Sequence, residues 1–315
     1  WAPPRAPSAS RRWTKRRGVS RQSLRLADRL GILAPMTQHP FAFGTMQCGG
    51  RADTAQSMAM FDACYAAGIR HFDTAWIYTD GASETLLGQF AKTHDIQIAT
   101  KVGYAGGAGR ANLTAQFDTS RKRLGRDAVD LLYLHRFDPG TPLAETLEVF
   151  AEWQSRGLIA RIGVSNFAAW AVMKAQAVAA SFGTRIDAIQ PMYSLVKRQA
   201  EVEILPMAAD QGITAYTYSP LGGGLLSGKY ASGGAGRLTE DARYAARYAP
   251  EAMHRAAAGL AALADDDVLR LERHFGHADP GAMASWAGAT ASWPNRTDAG
   301  GTRGLDDRSE GTRLN

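Results

Sequence analysis

Four side chains of complementary chemistry punctuate the first half of this 315-residue chain: Asp73, Tyr78, Lys101 and His135. A phenol with a pKa of about 10 is a poor acid at neutral pH, and an ammonium beside it favours the phenolate and lowers that pKa. A carboxylate paired with the lysine keeps it charged and aimed. An imidazole can orient a carbonyl oxygen or relay a proton. Together the four suit protonation of an oxygen while another group delivers hydride. Taken singly, each has a plainer reading: His135 as a satisfied structural group, Lys101 as a solvated loop charge, Tyr78 as packing. No metal-ligating cluster and no activated serine or cysteine nucleophile competes with them in the sequence.

These residues lie at or just past the ends of short apolar runs. Phe41–Met46, Ile69–Thr74, Ile96–Lys101, Asp130–His135, Ile159–Asn166, Ile186–Gln190 and Ile213–Ser219 read as strands. Helical stretches follow them at Thr54–Ala67, Ser83–His94 (with Ser83 as N-cap), Thr114–Leu124, Pro142–Arg156, Ala168–Ser181 and Gln199–Gln211. Strand-then-helix units in this alternation predict an all-parallel sheet covered by helices. A doubly wound dinucleotide fold would carry G-x-G-x-x-G after its first strand. The loop after Thr45 reads Met46-Gln47-Cys48-Gly49-Gly50-Arg51 and does not match. Polar residues instead mark the end of nearly every strand: Asp73, Lys101, His135, Ser165 with Asn166, Gln190, and Tyr218 with Ser219. Barrel enzymes assemble their sites at that rim, so the expected class is α/β, a (β/α)8 TIM barrel.

The seventh strand delivers the aromatic Tyr218 and then opens into Leu221-Gly222-Gly223-Gly224-Leu225-Leu226-Ser227-Gly228-Lys229-Tyr230. A flat ring followed by bare backbone N–H groups is what a nucleotide needs, for stacking and for close approach to phosphate.

With these residues in view, the sequence resembles the aldo-keto reductase superfamily over roughly Phe41 to Leu263. The resemblance rests on His71-Phe72-Asp73-Thr74-Ala75-Trp76-Ile77-Tyr78, Ala99-Thr100-Lys101-Val102, Asp130-Leu131-Leu132-Tyr133-Leu134-His135, Gly163-Val164-Ser165-Asn166-Phe167, Gln190-Pro191-Met192-Tyr193-Ser194-Leu195 and Tyr218-Ser219-Pro220-Leu221. Gly223 to Tyr230 looks most like the branch of aflatoxin-aldehyde reductases and potassium-channel β-subunit-like proteins. The resemblance implies reduction of a small aldehyde or ketone by a nicotinamide cofactor, NADPH with NADH as the other possibility. It implies Tyr78 as general acid tuned by Lys101 and Asp73, with His135 orienting the substrate. Ser165, Asn166 and Gln190 would hold the carboxamide, and Tyr218 would stack on the nicotinamide. Ser219, Leu221, Gly223 and Lys229 would line the pyrophosphate, and Trp76 and Arg136 would shape the substrate pocket. The alternatives are a non-catalytic nucleotide-binding regulatory subunit on the same fold and an inactive product of a frameshifted gene.

Charge narrows the partners. The net +6 is concentrated in residues 1–35, which hold nine Lys or Arg and one acid, Asp28. The remainder is slightly acidic, so nucleic acid is not an expected partner of the folded part. No apolar run is long enough to span a membrane, and two distant cysteines, Cys48 and Cys64, suggest a reducing, cytoplasmic setting. Oligomeric state is not legible. Organised patterning begins after Met36, so residues 1–35 read as a basic leader and 36–288 as the barrel. Residues 289–315 read as an aberrant polar tail where the family carries its eighth strand and adenosine-phosphate grip. A one-nucleotide shift within the possible codons of Leu305–Gly311 permits the family's missing turn, so the eighth βα unit is expected to be disrupted.

Overall fold

The computed structural model describes residues 41–263. Seven parallel strands run in sequence order: β1 (Ala42–Gly44), β2 (His71–Asp73), β3 (Gln97–Val102), β4 (Val129–Leu134), β5 (Ile159–Ser165), β6 (Ala188–Gln190) and β7 (Thr214–Ala215). Between them lie α1 (Thr54–Ala66), α2 (Ala82–Phe90), α3 (Arg110–Leu124), α4 (Leu143–Ser155), α5 (Ala169–Ser181) and α6 (Ile204–Asp210). After β7 come a glycine-rich 3₁₀ segment at Gly222–Ser227, two short helices, α7 (Arg237–Glu240) and α8 (Ala242–Arg247), and α9 (Glu251–Leu263). The leader, the tail and the eighth strand position all fall outside the described residues.

The sheet is curled, and two contacts measure the curl. In a flat sheet, β2 and β6 would stand about 19 Å apart, four strand spacings. Yet Gln190 Nε2 on β6 lies 2.9 Å from Asp73 Oδ2 on β2. The rings of His71 on β2 and Tyr216, just past β7, are likewise 4.7 Å apart. Side chains from opposite ends of the strand order meet across an interior, as the barrel expectation requires.

Strand alternation then sorts the chain into two cores. Ala99, Leu131, Tyr133 and Ala188 point inward with Tyr216 against them. Ile98, Val102, Leu132 and Leu134 point outward and pack with helix residues such as Leu87, Leu113, Phe117, Phe150 and Val172. Burying each such side chain stabilises the fold by roughly 1.5–3 kcal/mol. Gly163 has a steric reason: a Cβ there would lie 2.4 Å from Tyr133 Cδ1, so only glycine lets that ring lie inside the barrel.

The structure corrects three local expectations. Ser83 is not an N-cap: α2 starts one residue earlier, from Gly81 in a left-handed conformation, which has no side chain to cap it. The Ser83 hydroxyl is buried instead, bonded to Thr45 and Thr74. The helix expected over Gln199–Gln211 divides into a 3₁₀ turn at Gln199–Glu201 and α6. Pro206 lies in the first turn of α6, where its missing N–H costs nothing. The seventh strand is shorter than its apolar run because Pro191 has no N–H to return to it. The N–H groups of Tyr216 and Tyr218 still donate to Ile189 and Pro191.

Candidate functional site

The four residues at the strand ends do converge. Asp73 is the last residue of β2, Lys101 the penultimate residue of β3, and His135 follows β4 directly. Tyr78 begins a 3₁₀ turn after β2, its N–H bonded to the Ala75 carbonyl at 3.0 Å. Lys101 is wholly buried. Its ammonium donates to Asp73 Oδ1 and, at 2.7 Å, to the Thr74 carbonyl, and it stands 4.9 Å from the centroid of the Tyr78 ring. The Tyr78 and His135 rings meet edge to face at 5.8 Å. Lys101 is therefore neither a solvated loop charge nor free to move.

Electrostatics sharpen these assignments and correct one of them. Burial alone would lower the Lys101 pKa, but Asp73 and Tyr78 reverse this and hold it above its ordinary value. Tyr78 does not show the lowered pKa that a neighbouring ammonium suggests. Burial raises it, Lys101 lowers it, Asp73 raises it again, and the net shift is upward. Desolvation of the phenolate outweighs the attraction of a lysine already neutralised by Asp73. Tyr78 is thus a neutral phenol that carries its proton at neutral pH. Burial, with Lys101 and Arg136 adding to it, pushes His135 down to about 3. His135 is a neutral imidazole that can donate or accept a hydrogen bond, and its buried Nδ1 has no hydrogen-bond partner among the described residues.

The polar residues beyond the quartet form a linked arc. Gln190 donates to Asp73, and Ser165 Oγ donates to the Gln190 carbonyl at 2.9 Å. Asn166, at φ +58°, donates from Nδ2 to the His135 carbonyl at 2.9 Å and to Ser165 Oγ at 3.1 Å. The Tyr218 hydroxyl donates to Asn166 Oδ1 at 2.7 Å. The side-chain amide of Gln190 is thus committed to the acid, whereas Asn166 and Tyr218 stand toward solvent.

Ser219 takes φ +60°, and Gly222, Gly223 and Gly224 follow with φ of +59°, +68° and +95°. Left-handed backbone lets this loop turn tightly, and the N–H groups of Gly222 and Gly224 are spent within it, donating to the Ser219 and Leu221 carbonyls at 2.9 and 3.0 Å. Tyr244, Leu238 and Tyr248 pack over Gly223, where a Cβ would come within 3.0 to 3.3 Å of them. Lys229 is exposed, its ammonium 5.0 Å from the Tyr230 ring, and Leu221 is half-buried at the start of the loop. Trp76 packs beneath Arg123, and Arg136 lies over Tyr104, whose ring is 4.9 Å from His135.

Tyr104, Glu84 and Arg123 escaped the sequence reading. Tyr104 belongs to a glycine-rich loop with no periodicity to place it. Glu84 and Arg123 read as ordinary polar positions of helices, yet Glu84 is wholly buried. Among the described residues, no group of three or more His, Cys, Asp or Glu could hold a metal ion, and no helix is long and apolar enough to cross a membrane.

Comparison with known proteins agrees with this geometry. The chain is 38% identical over 195 residues to "Aflatoxin B1 aldehyde reductase member 2" of Rattus norvegicus, covering 59% of this chain and 53% of that protein. It is 37% identical over 195 residues to "Aflatoxin B1 aldehyde reductase member 4" of Homo sapiens, covering 59% of each. It is 32% identical over 214 residues to "Probable voltage-gated potassium channel subunit beta" of Oryza sativa subsp. japonica, covering 62% of this chain and 63% of that one. The chain thus spans little more than half the length of the reductases it matches. The model of the aldo/keto reductase family matches residues 40–268, well over half of the sequence. On the sequence match and on the barrel with its strand-end quartet, the chain belongs to the aldo/keto reductase family.

Proposed function

We propose that this protein reduces a small aldehyde or ketone to the alcohol, with Tyr78 supplying the proton. The observation that carries the reading is the buried contact of Asp73, Lys101, Tyr78 and His135 at the strand ends. Tyr78 holds a proton at neutral pH and faces an ammonium that stabilises the phenolate once the proton has left. Asp73 fixes that ammonium, and neutral His135 offers a ring nitrogen to a carbonyl oxygen without adding charge.

The residues present suit a nicotinamide dinucleotide, which when bound supplies the hydride. Ser165 and Asn166 would hold its carboxamide with Gln190 behind them, and Tyr218 would stack on the ring. Ser219, Leu221, Gly223 and Lys229 would line the pyrophosphate. We assign NADPH as the cofactor, with NADH the other possibility, as the family resemblance implies. Trp76 and Arg136 would shape the substrate pocket. The buried free cysteines Cys48 and Cys64 fit a reducing compartment, and we place the protein in the cytoplasm.

A regulatory role without catalysis has support in the similarity to the potassium-channel subunit, but it gives no account of a complete proton-donating quartet. Consumption of NADPH with a model aldehyde, beside the Tyr78→Phe variant, decides between them. Turnover lost in the variant supports the reductase. NADPH binding without turnover in the wild type supports the regulatory role.

A further inference from the structure

Tyr78 stands at the head of a turn that L-residues avoid. Thr79, Asp80 and Gly81 follow it with φ of +46°, +54° and +93°, three left-handed residues in succession. Such a turn persists only where its surroundings over-determine it, and it tends to mark a functional constraint. One strap is local: the Thr79 hydroxyl donates to the Cys48 carbonyl at 2.8 Å and accepts from the Ser83 N–H at 3.0 Å.

The second strap comes from α3. Arg123 Nη1 donates to the Trp76 carbonyl at 2.8 Å and to Glu84 Oε2 at 3.2 Å. Its guanidinium lies so close to Gly81 that a Cβ there would sit 2.2 Å from Arg123 Cζ. Glu84 is fully buried, and its other oxygen accepts from Thr100 Oγ1 at 2.7 Å. Thr100 immediately precedes Lys101. A path of three contacts therefore runs from the backbone beside Tyr78, through Arg123 and Glu84, to the strand that carries the lysine. Buried ion pairs are weak sources of stability. Here the pair joins the two segments whose separation sets the Tyr78–Lys101 contact.

We propose that Arg123 and Glu84 are positioning residues that hold Tyr78 at its working distance from Lys101. The proposal rests on the reading of Tyr78 as proton donor. In Arg123→Lys the charge facing Glu84 survives, but the planar guanidinium that packs over Gly81 while its Nη1 holds the Trp76 carbonyl and Glu84 is lost. In Glu84→Gln with Arg123→Gln no buried charge is left unpaired, so that chain tests the clamp without an uncompensated carboxylate.

The experiment compares these variants with wild type in thermal unfolding, NADPH affinity, kcat and KM for an aldehyde, and amide hydrogen exchange over residues 76–81. The expected result is cooperative unfolding and NADPH affinity as in wild type, faster exchange at Ile77–Gly81, and kcat lowered by about 100-fold at little-changed KM. Adding Tyr78→Phe should then lower kcat no further than Tyr78→Phe alone. Folded variants that keep both kcat and exchange protection overturn the proposal. So do variants that fail to fold in both forms, or that lose NADPH affinity in step with kcat, since these assign the pair to general stability. If wild type turns over no aldehyde, the proton-donor reading fails. Exchange at residues 76–81 alone then decides the clamp, unchanged protection in the variants overturning it.

Discussion

Gln190 Nε2 donates to Asp73 Oδ2 at 2.9 Å, joining β6 to β2 across the barrel interior at the very acid that holds Lys101. The bond fixes the carboxylate on one side while the ammonium engages it on the other. Gln190→Ala leaves a buried oxygen without its donor, a loss of roughly 1–3 kcal/mol. Urea unfolding should show this as a lower midpoint at unchanged slope. A midpoint equal to wild type would mean that the contact contributes nothing.

Tyr78→Phe removes one oxygen from a ring packed against His135 and Lys101. Shape and burial survive, so folding and NADPH binding should be retained. Carbonyl reduction should fall by roughly 10²–10⁴-fold, the usual contribution of a positioned acid. Turnover equal to wild type would remove Tyr78 from the chemistry.

Two buried imidazoles predict how stability varies with pH. Burial pushes His71 down to about 4 and His135 down to about 3, against an ordinary value of 6.5. Asp73 opposes the shift at His71, while Lys101 and Arg161 add to it. In both cases the unfolded chain binds the proton more readily than the native one. Their contribution is therefore complete above pH 6.5 and is lost as pH falls toward 4 and then 3. Asp130 and Asp187, whose carboxyls burial raises, act in the opposite sense at low pH. The clean measurement is a difference. Unfolding free energies of wild type and His71→Gln should converge between pH 7 and pH 4, and parallel curves would refute the shift at His71.

The fold was legible because its signals are periodic. Short apolar runs with polar ends, alternating with helical stretches, suffice to place all seven described strands. The quartet was legible for the same reason, since each member stands at or just past a strand end. Glu84 and Arg123 were not, because helix periodicity does not distinguish a buried acid with a distant partner from an exposed one. Gly163 shows the same limit: its reason for being glycine is the Tyr133 ring of the neighbouring strand. The direction of the Tyr78 shift could not be read from neighbours alone, for burial decides it and burial is a property of the assembled barrel.

The Asp73–Lys101 pair carries the last prediction. Lys101 is fully buried and Asp73 is 7% exposed, so removing one partner strands the other away from water. Lys101→Met should destabilise the chain by roughly 3–5 kcal/mol, most of it the cost of an uncompensated buried carboxylate rather than the worth of the pair. Asp73→Asn in the same chain removes that charge while keeping a group that Gln190 can still meet, and it should restore most of the loss. Activity should not return, because no ammonium then faces Tyr78. Thermal unfolding beside aldehyde turnover separates the two effects. A double variant no more stable than Lys101→Met would show that packing of the lysine stem, not the stranded charge, sets the cost.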